Sequence, residues 1–109
     1  MTTTIKDIIP AKNAETSQTT QYTALGVKTI IDKFTVSNTT SSNIIMSVNL
    51  VASGGTASSA NRIMSRTIAA GEAYTCPELV GHIIDVSGFI STLAGATGLT
   101  IKASGREVT

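Results

Sequence analysis

Eight residues in the middle of the chain, Ile44-Ile45-Met46-Ser47-Val48-Asn49-Leu50-Val51, constrain the fold more than any others. Ile44, Met46, Val48 and Leu50 share one parity, and Ser47 and Asn49 take the other. Successive side chains of a strand point to opposite faces, so a strict period of two predicts a half-buried strand with the four apolar residues on the core. The composition agrees: 38 of the 109 residues are the β-branched Thr, Ile or Val, which favour strands. A length of 109 residues is enough for one domain and too short for two.

Other segments fit the same class. Tyr22 to Asn38 reads as a strand region. In it Ile30, Phe34 and Val36 share one parity, and Val27 and Ile31 the other, as if both faces were covered for part of its length. The run Ser37-Asn38-Thr39-Thr40-Ser41-Ser42-Asn43 reads as a turn, because short Asn and Ser/Thr side chains bond their own backbone. The two strands flanking it are expected to form a hairpin-like pair. Ser53 to Ser59 reads as a loop; no Gly-Lys-Ser/Thr follows Gly54-Gly55 to make it a phosphate cradle. Further strands are predicted at Ile63–Ile68, Ala73–Cys76, Leu79–Val86, Phe89–Leu93 and Leu99–Ala103, with Ser104 to Thr109 as a tail. The Leu79–Val86 element has an alternative start as a helical turn after Pro77. About seven short strands separated by Gly and Asn/Ser turns predict an all-β domain, a single antiparallel β-sandwich or jelly roll.

Residues 1–18 read as an extended N-terminal arm and residues 19–109 as the sandwich domain. Apart from Ile5, Ile8 and Ile9 the arm is polar, and Pro10 interrupts it. A frayed terminus is one reading. The other takes Ile5, Ile8 and Ile9 as anchors that leave their own domain and dock on a partner.

The chemistry-bearing residues are few. Only 14% of residues are charged and the formal net charge is +1, which gives no electrostatic reason to expect a nucleic-acid or membrane partner. No run of 18 apolar residues exists to form a membrane-spanning helix, and the polar first 20 residues hold no secretory signal core. Cys76 is the single Cys and His82 the single His, so no internal disulfide and no Cys-based zinc site is expected. A Cys76–His82 dyad is conceivable, but Cys76 reads better as a half-buried structural thiol. The seven acids form no spaced pair on one strand face, so nothing nominates a general acid and base. Neither an enzyme activity, a metal nor a cofactor is expected. Arg62 and Arg66 either read an anionic partner or form a solvated edge that blocks sheet-to-sheet pairing.

Several segments follow one another in a recognisable order: Gln21-Tyr22-Thr23, Lys28 to Thr39, Ser47-Val48-Asn49-Leu50-Val51, Thr67-Ile68-Ala69-Ala70-Gly71-Glu72, then Ile90-Ser91 and a closing small-residue strand. This order resembles small virion proteins of tailed bacteriophages and prophages over about residues 20–105. The resemblance implies a virion location, assembly in the host bacterial cytoplasm and no catalytic motif. It implies a capsid decoration or cement protein that bridges coat subunits, with the major capsid protein or other virion proteins as partners and a homo-oligomer, dimer or trimer, as the working form. A neck, tail or fibre component is the alternative. A ligand-binding sandwich module is a third, with only Tyr22, Tyr74, Phe34 and Phe89 to build an aromatic platform.

Overall fold

A computed structural model describes residues 1–109. The chain is all-β, with nine strands and no helix: β1 Thr3–Asn13, β2 Thr19–Thr23, β3 Lys28–Asn38, β4 Ile44–Val51, β5 Arg62–Ile68, β6 Ala73–Tyr74, β7 Ile83–Ile84, β8 Phe89–Ala94 and β9 Leu99–Val108. They form two antiparallel sheets. The five-stranded sheet has the order β1-β9-β3-β6, with β7 also on β3, and the four-stranded sheet the order β2-β8-β4-β5. The core between them is aliphatic apart from Phe34, and is built around Ile9, Ile31, Phe34, Val36, Met46, Val48, Met64, Ile68, Ile90, Leu99 and Ile101.

The alternation in β4 holds: Ile44, Met46 and Val48 are buried and Leu50 packs against the core. Ser47 and Asn49 face the other way yet are also buried. The loop between β4 and β5 meets Asn49, whose Nδ2 donates to Ser58 O at 2.8 Å and to Asn61 Oδ1 at 2.7 Å, and Ser47 lies beside Ser65 of β5.

The arm assignment is corrected. Residues 3–13 are an edge strand of their own domain, paired with β9 from Thr3↔Val108 to Asn13↔Thr100. Ile8 and Ile9 are 3% and 1% exposed in the molecule's own core. Two extra residues in β1, one between Lys6 and Ile9 and one between Ile9 and Lys12, break the alternation. That break lets two consecutive isoleucines be buried. Pro10 fits because β1 lies at the sheet edge, where one main-chain donor can be spared. The corner after β1 is bonded to both sheets. Ala14 N–H donates to Leu99 O at 2.8 Å, and Ala94 N–H donates to Glu15 O at 3.1 Å. Gln21 and Lys12, each 2.9 Å from the Glu15 carboxylate, hold its pKa below the ordinary value.

The expected hairpin is also corrected. β3 and β4 lie in different sheets, so residues 39–43 cross between layers. Asn38, 1% exposed, holds this crossing. Its Nδ2 donates to Ser42 O at 2.7 Å and Ile68 O at 2.9 Å, while its Oδ1 accepts from Thr40 N–H at 2.9 Å and Thr40 Oγ1 at 2.7 Å. The long strand region from Tyr22 is broken at residues 24–27, where the chain changes sheets. Leu79–Val86 contributes only Ile83 and Ile84 as strand, after a turn over residues 77–81. The final strand runs five residues beyond Ala103, because Ser104 pairs with β3 and Gly105 to Val108 pair with both β1 and β3.

At the centre of the five-stranded sheet, Ile31↔Gly105 is followed by Lys33↔Ser104, leaving Asp32 as an extra residue in β3. The backbones close in there: a Cβ on Gly105 would stand 2.2 Å from Ile30 O. Gly105→Ala is therefore expected to destabilise the fold by about 3 kcal/mol through forced backbone displacement. Asn38→Ala is expected to cost a similar amount, about 3 kcal/mol, because buried carbonyls lose their donors. Chemical denaturation of both variants beside Lys33→Ala, expected to be near neutral, checks these values.

Candidate functional site

The extra residue at Asp32 sorts the outer face of the five-stranded sheet. Before it, odd residues of β3 point inward: Thr29 and Ile31 are 0% exposed. After it, even residues do: Phe34, Val36 and Asn38. Ile30 is thereby turned out of the core. It lies opposite Arg106 of β9 on one side and Ile83 of β7 on the other, and Arg106 lies opposite Ile5 of β1. One transverse row, Ile5–Arg106–Ile30–Ile83, therefore crosses the outer face of four strands. Directly opposed side chains of this kind have Cβ atoms about 5 Å apart, so the row is continuous. Ile5 is 87% and Ile83 64% exposed. Val108 stands on the same outward parity, opposite Thr3 and Lys28.

Arg106 is fixed within the row. Its Nε and Nη2 lie 3.0 and 2.9 Å from the two oxygens of Asp32, a forked contact that raises the Arg106 pKa further. The guanidinium is thus turned towards the bulge, and its alkyl stem is left among the isoleucines. Lys28–Asp85, 3.8 Å apart and largely solvated, stands at the margin. Leu25 and Val86, 77% and 46% exposed, sit on loops at the same end, joined by Ala24 N–H to Gly88 O at 2.9 Å and Ser87 N–H to Ala24 O at 2.7 Å. A shallow cavity of about 180 Å³ beside them is lined by Leu50, Val51, Ala52, Ile83, Ile84 and Asp85.

The other half of the same outer face is polar. Lys33, Thr35 and Ser37 of β3 stand opposite Ser104, Lys102 and Thr100 of β9 and line an open trough of about 380 Å³ with Ala11. Lys102 pairs with Asp7 at 2.7 Å. A hydroxyl-rich half and an isoleucine-rich half thus meet near the Asp32 bulge.

Beneath the row, on the inner side of the next rung, Tyr22 reaches across from the four-stranded sheet. Its hydroxyl is 2.7 Å from Thr29 Oγ1 and donates to the Glu107 carboxylate. Desolvation first, and the Glu107 bond second, push the Tyr22 pKa up to about 12. This contact ties the end of β9, and so Arg106, to the other layer.

The residues singled out in the sequence do not form one site. Ile5 lies in the exposed row, but Ile8 and Ile9 are core residues and cannot be partner contacts; the two bulges in β1 draw them inward. Arg62 and Arg66 are exposed on β5, at the edge of the other sheet. Arg66 stands 4.1 Å over the Tyr74 ring, bridging the β5 and β6 edges of the two sheets. The Tyr74 hydroxyl donates to Glu78 at 2.8 Å, which raises its pKa. Cys76 is fully rather than half buried; its thiol faces Tyr74 O at 3.7 Å, and burial, with Glu78 adding to it, pushes its pKa up to about 12. His82 is exposed. Sequence reasoning passed over Ile30, Ile83 and Arg106. The one signal at hand was Asp32-Lys33, two adjacent charges inside an otherwise apolar run.

The fold and face define a small two-sheet antiparallel sandwich with an apolar strip exposed on one sheet. No known protein family and no curated protein matches the chain. Among solved structures it is similar to a chain in the structure of infectious bursal disease virus Gx strain, at 14% identity and a TM-score of 0.41. The match covers 97% of this chain and 32% of that one, so the chain spans about a third of its length. Similarity at that level carries no argument about function.

The Tyr22 contact yields a pH dependence. A phenol with a folded pKa of about 12 and an unfolded one near 10 stabilises the fold fully below about pH 10. Above that the unfolded state loses its proton first. Denaturation midpoints are expected to fall between about pH 10 and 12, and Tyr22→Phe to flatten that fall while lowering stability at neutral pH.

Proposed function

We infer that the chain is a structural subunit of a virion that works by surface contact, decorating or cementing a capsid shell against its coat subunits. The observation that carries this is the row Ile5–Arg106–Ile30–Ile83, three isoleucines around an ion-paired arginine on the outer face of one sheet, with Ile5 and Ile83 exposed. Contiguous exposed apolar surface of this kind marks interaction sites in soluble proteins. The order of turn and strand segments that resembles small tailed-phage virion proteins supports the same class of partner.

The proposal gives the chain no catalytic role. The Cys76 thiol is buried and faces a main-chain carbonyl, and His82 points to solvent. Neck, tail and fibre positions use the same kind of contact, so location in the particle decides between them and the capsid.

Because Ile83 is exposed, Ile83→Glu is expected to leave the melting of the isolated protein nearly unchanged. Phage particles carrying this variant should retain less of the subunit, measured by gel densitometry of purified virions. They should also release their genome at a lower temperature. Imaging that places the subunit only in the tail would overturn the cement assignment, and full incorporation of the Ile83→Glu subunit would overturn the role of the strip.

A further inference from the structure

We propose that the partner at the open end of β1 is a second copy of this chain, joined edge to edge so that the five-stranded sheets of two subunits become one. The proposal rests on the apolar strip above and names what extends it. Thr2 N–H donates to Thr109 O and Thr109 N–H donates to Thr2 O, so Thr2–Thr109 is a doubly bonded rung. In an antiparallel ladder such rungs alternate with non-bonded ones. Thr4 and Lys6, opposite Glu107 and Gly105, therefore turn their main-chain groups towards β9. Thr3 and Ile5 turn theirs outward, where no backbone group meets them.

The open stretch is short and bounded. Past Lys6 the first irregularity of β1 begins, and Pro10 removes a donor. Both are devices that discourage strand pairing, and they leave the regularly paired Thr3–Lys6 part of the edge unprotected. At its centre is Ile5, 87% exposed on the outer face.

An edge like this is self-complementary about a twofold axis through Ile5. The Ile5 N–H and C=O of each copy meet those of the other, and the two Ile5 side chains lie opposed on one face. Lys6 then stands opposite Thr4 of the other copy and Asp7 opposite Thr3, so no like charges face each other. An axis at Asp7 would oppose two carboxylates. The Ile5-centred axis also joins the rows of both copies end to end, from Ile83 of one subunit through both Ile5 residues to Ile83 of the other, with each Arg106 lying between Ile5 and Ile30 and held by Asp32. Either subunit alone presents half of the joined row.

The test uses the full-length protein and three readouts. Analytical ultracentrifugation of the wild-type protein is expected to show a species of twice the chain mass that grows with concentration. Hydrogen exchange should show the Thr3 and Ile5 amides gaining protection over the same range. Ile5→Pro deletes an outward-facing donor and an exposed side chain, so it should keep the wild-type melting temperature and weaken self-association by about tenfold or more. Ile5→Lys, which opposes two ammonium groups across the axis, should do the same and stands in if the proline variant does not fold. A wild-type protein that stays monomeric at millimolar concentration, a dimer untouched by both variants, or particle images with another protein's strand on β1 would each overturn the proposal. A dimer that does not bind particles would overturn the virion assignment and leave the edge pairing standing. A monomer that decorates capsids would do the reverse.

Discussion

The close approach of β3 and β9 at Gly105 governs both faces of the five-stranded sheet. One extra residue, Asp32, is accommodated there because Gly105 has no side chain to collide with Ile30 O. The shift of phase sends Ile31 inward on one side of the bulge and Phe34 inward on the other, so an eleven-residue strand keeps its apolar residues in the core despite two parities. It also turns Ile30 outward and sets Asp32 beside Arg106. Core and surface strip are therefore two results of one backbone irregularity.

A sandwich with few aromatic residues closes its ends and crossings with polar contacts. Asn38 satisfies the crossing from β3, Tyr22 joins the sheets at the strip end, and Arg66 lies over Tyr74 between the opposite edges. Each of these groups is either bonded at several atoms or left on the rim. Buried polar groups stabilise only when they are satisfied in this way. Large apolar side chains are also left outside: Ile5, Leu25, Ile83 and Val86 lie on the outer face and loops at one end of the five-stranded sheet, and Ile45 and Ile63 on the four-stranded one. The other end of the five-stranded sheet's outer face carries Ser, Thr and Lys. A face divided in this way suits docking in one orientation.

β4 and β9 were legible in the sequence because the extra residues at their register shifts lie in the partner strands β5, β1 and β3, so the side chains of Ile44 to Val51 and Leu99 to Ala103 alternate in the sheet as they do in the chain. The turn residues around Asn38 were legible for their local chemistry. The hairpin was not, since an Asn/Thr/Ser turn looks alike whether it returns within one sheet or crosses to the next. The arm failed for a related reason. Ile8 and Ile9 are adjacent, which looks wrong for a strand, and only the bulges against β9, some ninety residues away in the chain, make both inward-facing. The strip was hidden in the same manner, its four members drawn from residues 5, 30, 83 and 106.

The sequence by itself determined that the chain is built of short antiparallel strands, since β-branched content and period-two alternation are local properties. It also fixed where several of those strands turn. Which strands share a sheet, where their phase slips, and which isoleucines face solvent were decided by the tertiary structure. Those outcomes depend on register between segments far apart in the chain. A single extra residue in one strand exchanges core for surface along the rest of it.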